Sequence, residues 1–385
     1  MDRALTLTSM LAALSFQSLF MVIFLFTERA ERQVHFRLLG CVFIMLGAWF
    51  LSGFLQQLGF YQRFPWAINW LTMFVPLFVP CLYFYVQALS ARSPWRLGDR
   101  SFWHWGIALA IVLTELPLTL APGEVKLHLL DATLYPATGS EQFLFGLGRL
   151  ANMLLLAQSA VYVLLSLARL ARHDRRIRFF FSNIENRNLA WLRNYLLFMI
   201  FLWGFGASDF FNGTAGYDLA LHAVYLCWLV AFSLMGLRQG LVYAPGEAEE
   251  SPTQDEAGED RAKPARQQLP VERRARVAAK LRLLMEERHF YRDGDLTLRK
   301  LSDEIGVSTH HLSETLRDEI GQNFYDYVNS WRVKEACDLL SASDHPTIEI
   351  AFAVGFNSRS TFSAAFKKHA GTSPAKYRKS HADLS

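Results

Sequence analysis

Seven long apolar runs limit what this chain can fold into. They are Leu5–Phe26, Leu38–Leu58, Trp66–Leu89, Phe102–Ala121, Phe143–Leu167, Tyr195–Phe211 and Tyr217–Leu237. A run of about 20 apolar residues is long enough to cross a bilayer as a helix, and only a helix or a closed barrel satisfies its own backbone there. Residues 1–240 therefore read as a seven-helix transmembrane bundle. One cleaved leader does not account for seven such runs. The first run also has no strongly basic stretch before it and no clear small-residue cleavage site after it, so it too reads as a helix.

The connections carry their positive charge on one side. Arg29, Arg32 and Arg37 lie in the first loop, Arg92, Arg96 and Arg100 in the third, and Arg169, Arg172, Arg175, Arg176, Arg178, Arg187 and Arg193 in the fifth. The opposite side holds only Arg3, Arg63 and Lys126, three against thirteen. Cytoplasmic loops are the basic ones, so the N-terminus is expected in the periplasm and the C-terminal part in the cytoplasm of a bacterial inner membrane. Trp66, Trp70, Trp103, Trp105 and Trp191 fall near run ends, as interfacial anchors do.

Composition then changes twice. Residues 244–270 hold four prolines and seven acidic residues with almost no large apolar ones, which predicts a flexible tether over 241–270. From Val271 the pattern is that of water-soluble helices. Val277, Leu281, Leu284 and Met285 share one helical face. Leu298, Leu301 and Ile305 form a stripe that stops at Gly306, and Ser308 can cap a helix carrying Leu312 and Leu316. A longer helix follows, FYDYVNSWRVKEACDLLSAS, and then TIEIAFAVGFNSRSTFSAAFKKHAG repeats the helix–Gly–helix plan. Residues 271–385 are thus predicted to hold two helix-turn-helix units joined by one long helix, and the chain as a whole to be all-α.

No Gly-rich phosphate loop, nucleophile elbow or H-E-x-x-H motif is present, and Cys41, Cys81, Cys227 and Cys337 form no C-x-x-C pair. The chain is expected to be no enzyme and to need no cofactor or metal.

The segments LTLRKLSDEIGVSTHHLSETLRDEIGQNFYDYVNSWRVKEACDLL and IEIAFAVGFNSRSTFSAAFKKHAGTSPAKYR resemble the DNA-binding domain of AraC/XylS-type transcription regulators. FVPCLYFYVQALSAR is similar, more loosely, to the third span of membrane-bound AraC-like regulators. The resemblance implies two recognition helices in successive major grooves of promoter DNA. It places Thr309, His310, Ser313, Glu314 and Arg317 on the exposed face of the first, and Ser358, Arg359, Ser360, Thr361, Ser363 and Ala364 on the second. It makes Leu312, Leu316, Phe362 and Phe366 core, and Phe356 and Pro374 structural. Residue chemistry agrees: Arg pairs with guanine, Ser and Thr read several bases, and Glu accepts from cytosine. Lys367, Lys368 and Arg378 suit phosphates. Only eighteen Lys and Arg stand against sixteen Asp and Glu from Val271 onward, so two chains, a homodimer, are expected for tight binding, with RNA polymerase a further partner.

Ionisable residues inside the runs are few. Glu115, Arg149, Asp209 and His222, with Asn152, all fall toward the periplasmic side once the orientation is set. Two uses compete: a pocket for a small polar or amphipathic signal, or interhelical glue through a Glu115–Arg149 ion pair. The basic, aromatic stretch ARLARHDRRIRFFFSNIENRN reads as a loop for anionic lipid headgroups, with contact to the DNA-binding domain as the alternative. The expectation is a membrane-embedded one-component regulator that binds promoter DNA in response to a membrane or periplasmic signal. The competing class is a transporter or channel with a regulatory DNA-binding domain.

Overall fold

The structure, a computed structural model, describes residues 3–27, 34–91, 102–130, 138–185, 187–212, 218–239 and 270–382, with the backbone alone at 102, 204–212, 218 and 381–382. The tether of 241–270 lies outside the described residues, apart from Pro270. All regular secondary structure among the described residues is helical, and the single β-type pairing is an isolated antiparallel bridge between Phe181 and Thr297. The chain divides into two compact units, Met1–Leu170 with Leu189–Leu241, and Ala171–Asn188 with Val242–Ser385. Residues 171–188, read from sequence as part of the membrane half, thus belong with the C-terminal helices.

The first unit contains α1 (Arg3–Thr27), α2 (Val34–Gln57), α3 (Phe60–Arg63), α4 (Phe78–Leu89), α5 (Phe102–Leu120), α6 (Gly123–Leu130), the first part of α7 (Gly139–Phe180), α8 (Ala190–Asn212) and α9 (Asp218–Arg238). α1 packs along α2 and α9, and α2 along α4. Small residues permit these approaches: a Cβ on Gly236 would lie 2.9 Å from Leu39 Cδ2, and one on Gly47 3.1 Å from Ser18 Cβ. Aromatic rings fill the junction of α2, α4, α8 and α9. The Phe232 ring stacks 4.0 Å from Tyr195 and lies 5.6 Å from Phe43 and 6.4 Å from Tyr85. Many of the large side chains facing outward are apolar; Phe16 is 71% exposed, Leu164 65% and Trp103 77%.

Among the described residues, five helices are long and apolar enough to cross a membrane: Arg3–Thr27, Val34–Gln57, Trp103–Leu120, Gly139–Phe180 and Leu219–Arg238. Ala190–Trp203 and Val75–Leu89 are apolar but shorter. The expectation of seven continuous spans is corrected most clearly at Trp66–Leu89. This run begins as a 3₁₀ turn, Pro65–Ala67, passes through Asn69 at φ 72°, makes a second 3₁₀ turn at Val75–Leu77 and becomes α-helical only from Phe78. A left-handed residue cannot sit within a right-handed helix, and Pro76 and Pro80 each withdraw a backbone donor. The carbonyls freed by the break are met by a buried cation from α6, a helix not foreseen in the sequence. Lys126 Nζ donates to Trp66 O at 2.9 Å and Ile68 O at 3.4 Å.

The fifth run is corrected in the other direction. α7 extends 42 residues, through the stretch expected to be a loop, as far as Phe180. From Arg149 to Phe180 there is no Gly or Pro, and Arg, Ala and Leu are strong helix formers, so nothing local stops it.

The second unit joins residues 171–188 to α10 (Val271–Arg288), α11 (Leu298–Ile305), α12 (Thr309–Thr315), α13 (Phe324–Ala342), α14 (Thr347–Ala353), α15 (Arg359–Ala370) and α16 (Pro374–Ala382). Side-chain caps set most of the starts. Thr297 accepts from Lys300 N, Ser308 from His311 N, Asn323 from Asp326 N and Ser358 from Thr361 N. Gly306 at φ 78° and Gly355 at φ 98° make the two turns. α12 leaves α geometry at Leu316 and ends in one π turn, Leu316–Ile320, closed by Gly321 at φ 75°.

Candidate nucleic-acid interface

α15 is anchored through its apolar face. Phe362, Ala365 and Phe366 join Val333, Ala336 and Leu340 of α13, and Ile350, Ala351, Val354 and Phe356, in one buried cluster. Ring centroids run Phe356–Phe362 at 5.3 Å, Phe362–Phe366 at 5.5 Å and Phe366–Tyr377 at 5.5 Å. Periodicity then turns Arg359, Ser360, Ala364, Lys367 and Lys368 outward, while Ser358, Thr361 and Ser363 are half-buried. The exposed face is therefore basic at both ends and hydroxyl-rich near its start. Two phosphate candidates are already engaged. Lys368 Nζ pairs with Asp326 at 2.7 Å, and Arg378 Nη2 donates to His345 O at 2.5 Å. Arg378 is thus tied to the α14 entry through one of its donors.

The first unit of the pair differs more from expectation. Thr309 is half-buried, and His310 and Arg317 are exposed. Ser313 and Glu314 are buried, at 9% and 5% exposure. Glu314 is not on an open face: α10 lies across α12 and places Arg274 Nη1 3.8 Å from its carboxylate. Arg274 also reaches Asp318 at 3.3 Å, and Arg317 Nε donates to Asp318 at 2.8 Å. That hydrogen bond from Arg317 holds the Asp318 carboxyl below its ordinary range. The cause is α10, whose packing against α12 is invisible in the periodicity of α12 itself.

Sequence reasoning missed the residue at the centre of the unit. Arg332 on α13 is fully buried. Its Nε donates to Tyr291 O at 2.7 Å, its Nη2 to Asp293 O at 2.7 Å and Ser182 Oγ at 3.2 Å, and its Nη1 to Asn329 Oδ1 at 3.3 Å and Ser182 O at 3.4 Å. Burial pushes its pKa down to about 10, so the guanidinium remains charged at neutral pH. An Arg flanked by Trp331 and Val333 on a long helix was the available signal.

The polar layer of the first unit is not assembled as a pair. Glu115 is half-buried, Arg149 and Asn152 are exposed, and no Glu115–Arg149 ion pair exists among the described residues. Arg149 lies over the Phe145 ring at 6.0 Å instead, one turn back on α7. His222 approaches Tyr225 at 6.1 Å between rings. The Asp209 side chain lies outside the described residues. Polar contacts between helices are made elsewhere, by His104 Nδ1 with Tyr162 OH at 2.8 Å and by Gln17 with Ser233 at 3.2 Å.

Two helix–Gly–helix units, each with a hydroxyl-capped second helix and joined by one long helix, define the second unit as a double helix-turn-helix DNA-binding domain. Residues 301–380 match the family described as a helix-turn-helix domain. The chain is 34% identical over 92 residues to the probable transcription factor PqrA of Proteus vulgaris, covering 24% of this chain and 75% of that protein. The same figures, 34% over 92 residues, hold for an uncharacterized HTH-type transcriptional regulator of Staphylococcus aureus, of which the chain spans 12%. Among solved structures, the C-terminal domain of AraT, a response regulator from Geobacillus stearothermophilus, is 32% identical, with a TM-score of 0.25 over 27% of this chain and 84% of that one. Through this domain the chain belongs to the AraC-type helix-turn-helix transcription regulators.

Proposed function

We propose that the chain is a membrane-embedded one-component transcription regulator: the apolar bundle is the membrane and signal-receiving part, and the double helix-turn-helix is the output that binds promoter DNA. The observation carrying this reading is the coexistence in one chain of a reader helix with an open Arg359–Lys367 face and a helical bundle whose outward side chains are large and apolar. Exposed apolar surface on that scale is what lipid covers. The loop charges orient the bundle with its basic side inward.

Two experiments test the two halves separately. A reporter fused after Gly240 is expected to work only if it is of a type active in the cytoplasm, and activity of a periplasm-only reporter there would reverse the orientation. For the output, duplexes are first selected from a random pool with the full chain. Arg359→Ala is expected to weaken the selected duplex by about 1–3 kcal/mol and relax preference at one base pair. Lys367→Ala, also exposed, is expected to weaken all duplexes alike and lower the salt slope by about 1. Identical behaviour of the two variants would remove the base-reading role of Arg359.

A further inference from the structure

Residues 181–185 lie across the DNA-binding helices, and no part of the proposed function uses them. Phe181 pairs with Thr297 as an antiparallel bridge. Ser182 donates from its backbone N and its Oγ to Leu296 O, at 3.2 and 2.7 Å, and its own oxygens receive Arg332. Phe181, Ser182 and Ile184 are buried. One turn before the bridge, Arg178 stands over the Tyr325 ring at 5.2 Å. The segment ends at the start of α15, where the Glu185 carboxylate accepts from both Ser358 Oγ and Thr361 Oγ1. Those hydroxyls stand beside Arg359 at the N-terminus of the reader helix. Hydroxyls and helix N-termini of this kind are what DNA-binding proteins turn to a phosphate.

We propose that Phe181–Glu185 is an intramolecular competitor for DNA: docked on the second unit, it sets a carboxylate on Ser358 and Thr361 where a phosphate of bound DNA would lie, so the segment must leave before α15 enters a groove. This rests on α15 being the groove helix. Two anions cannot share one pair of donors, and the docked Glu185 also repels the approaching backbone. The attachment is strong in backbone pairing at Ser182 and weak in ionic content at Glu185, as suits a segment that holds a position yet can be released. The segment follows α7 directly in the chain, since that helix ends at Phe180.

The test uses the full chain in phospholipid nanodiscs and a random-sequence duplex pool long enough, about 40 base pairs, to offer successive major grooves. Opposed residues of an antiparallel pair lie within disulfide range, so Phe181→Cys with Thr297→Cys is expected to crosslink on mild oxidation. The crosslinked protein is expected not to bind the pool, and a reductant to restore binding. Neither substituted residue is in the reader helix. Since Phe181 is buried, Glu185→Ala provides a second route that leaves the packing intact, and it is expected to tighten binding about tenfold. Failure of the crosslink to form, or unchanged binding once it has formed, would overturn the proposal, as would Glu185→Ala binding no better than the unsubstituted chain. Absence of binding by every variant, Glu185→Ala included, would refute the DNA reading of α15 itself, and the proposal with it.

Discussion

Replacing Arg332 by Ala is expected to destabilise the second unit by about 3–5 kcal/mol. The guanidinium is fully buried and donates to the carbonyls of Tyr291, Asp293 and Ser182. Its removal strands those acceptors in a space that water fills poorly, and leaves a cavity against Phe356, whose ring lies 5.5 Å from the guanidinium carbon. Arg332→Lys is expected to recover less than half, since one ammonium cannot reach acceptors arranged for a planar fork. The measurement is pulse proteolysis of the full chain in increasing urea, followed from a C-terminal tag. An unchanged midpoint for Arg332→Ala would show that the buried network contributes nothing net.

Gly355→Ala is the second large effect, expected at about 3 kcal/mol. The residue sits at φ 98°, and an added Cβ would fall 2.7 Å from both Arg292 O and Tyr291 O. Backbone oxygens cannot rotate aside as a side-chain tip can, so the whole α14–α15 turn has to shift away from residues 291–292. Gly306→Ala is the control. Its φ of 78° is also positive, but nothing lies within 4 Å of the added carbon, so only the conformational penalty of about 1 kcal/mol remains. Equal losses at the two glycines in the same urea series would mean that packing against 291–292 plays no part.

Much of this was legible locally. The cap at Ser308 and the turns at Gly306 and Gly355 follow from residues within one helical turn of each other, and the structure places each where that short-range chemistry requires. The apolar runs likewise marked where α1, α2, α5 and α9 lie. Hydropathy does not register where the backbone breaks, so Trp66–Leu89 looked like one helix, although Asn69 and Pro76 interrupt it. A window average also cannot see that Lys126, about sixty positions away, supplies the donors that make the break tolerable.

Sequence by itself determined the class of this protein, apolar helices followed by two helix-turn-helix units, because helix periodicity, caps and glycine turns depend on neighbours three or four residues apart. Tertiary structure alone decided which polar groups are available. It buried Glu314 under Arg274, drew Arg332 into the centre of the unit, and brought Glu185 to Ser358 across more than 170 residues. Partners that distant leave no periodic trace in either segment. A charge read as exposed from its helix position is free or engaged according to what packs over it, and only the folded chain supplies that.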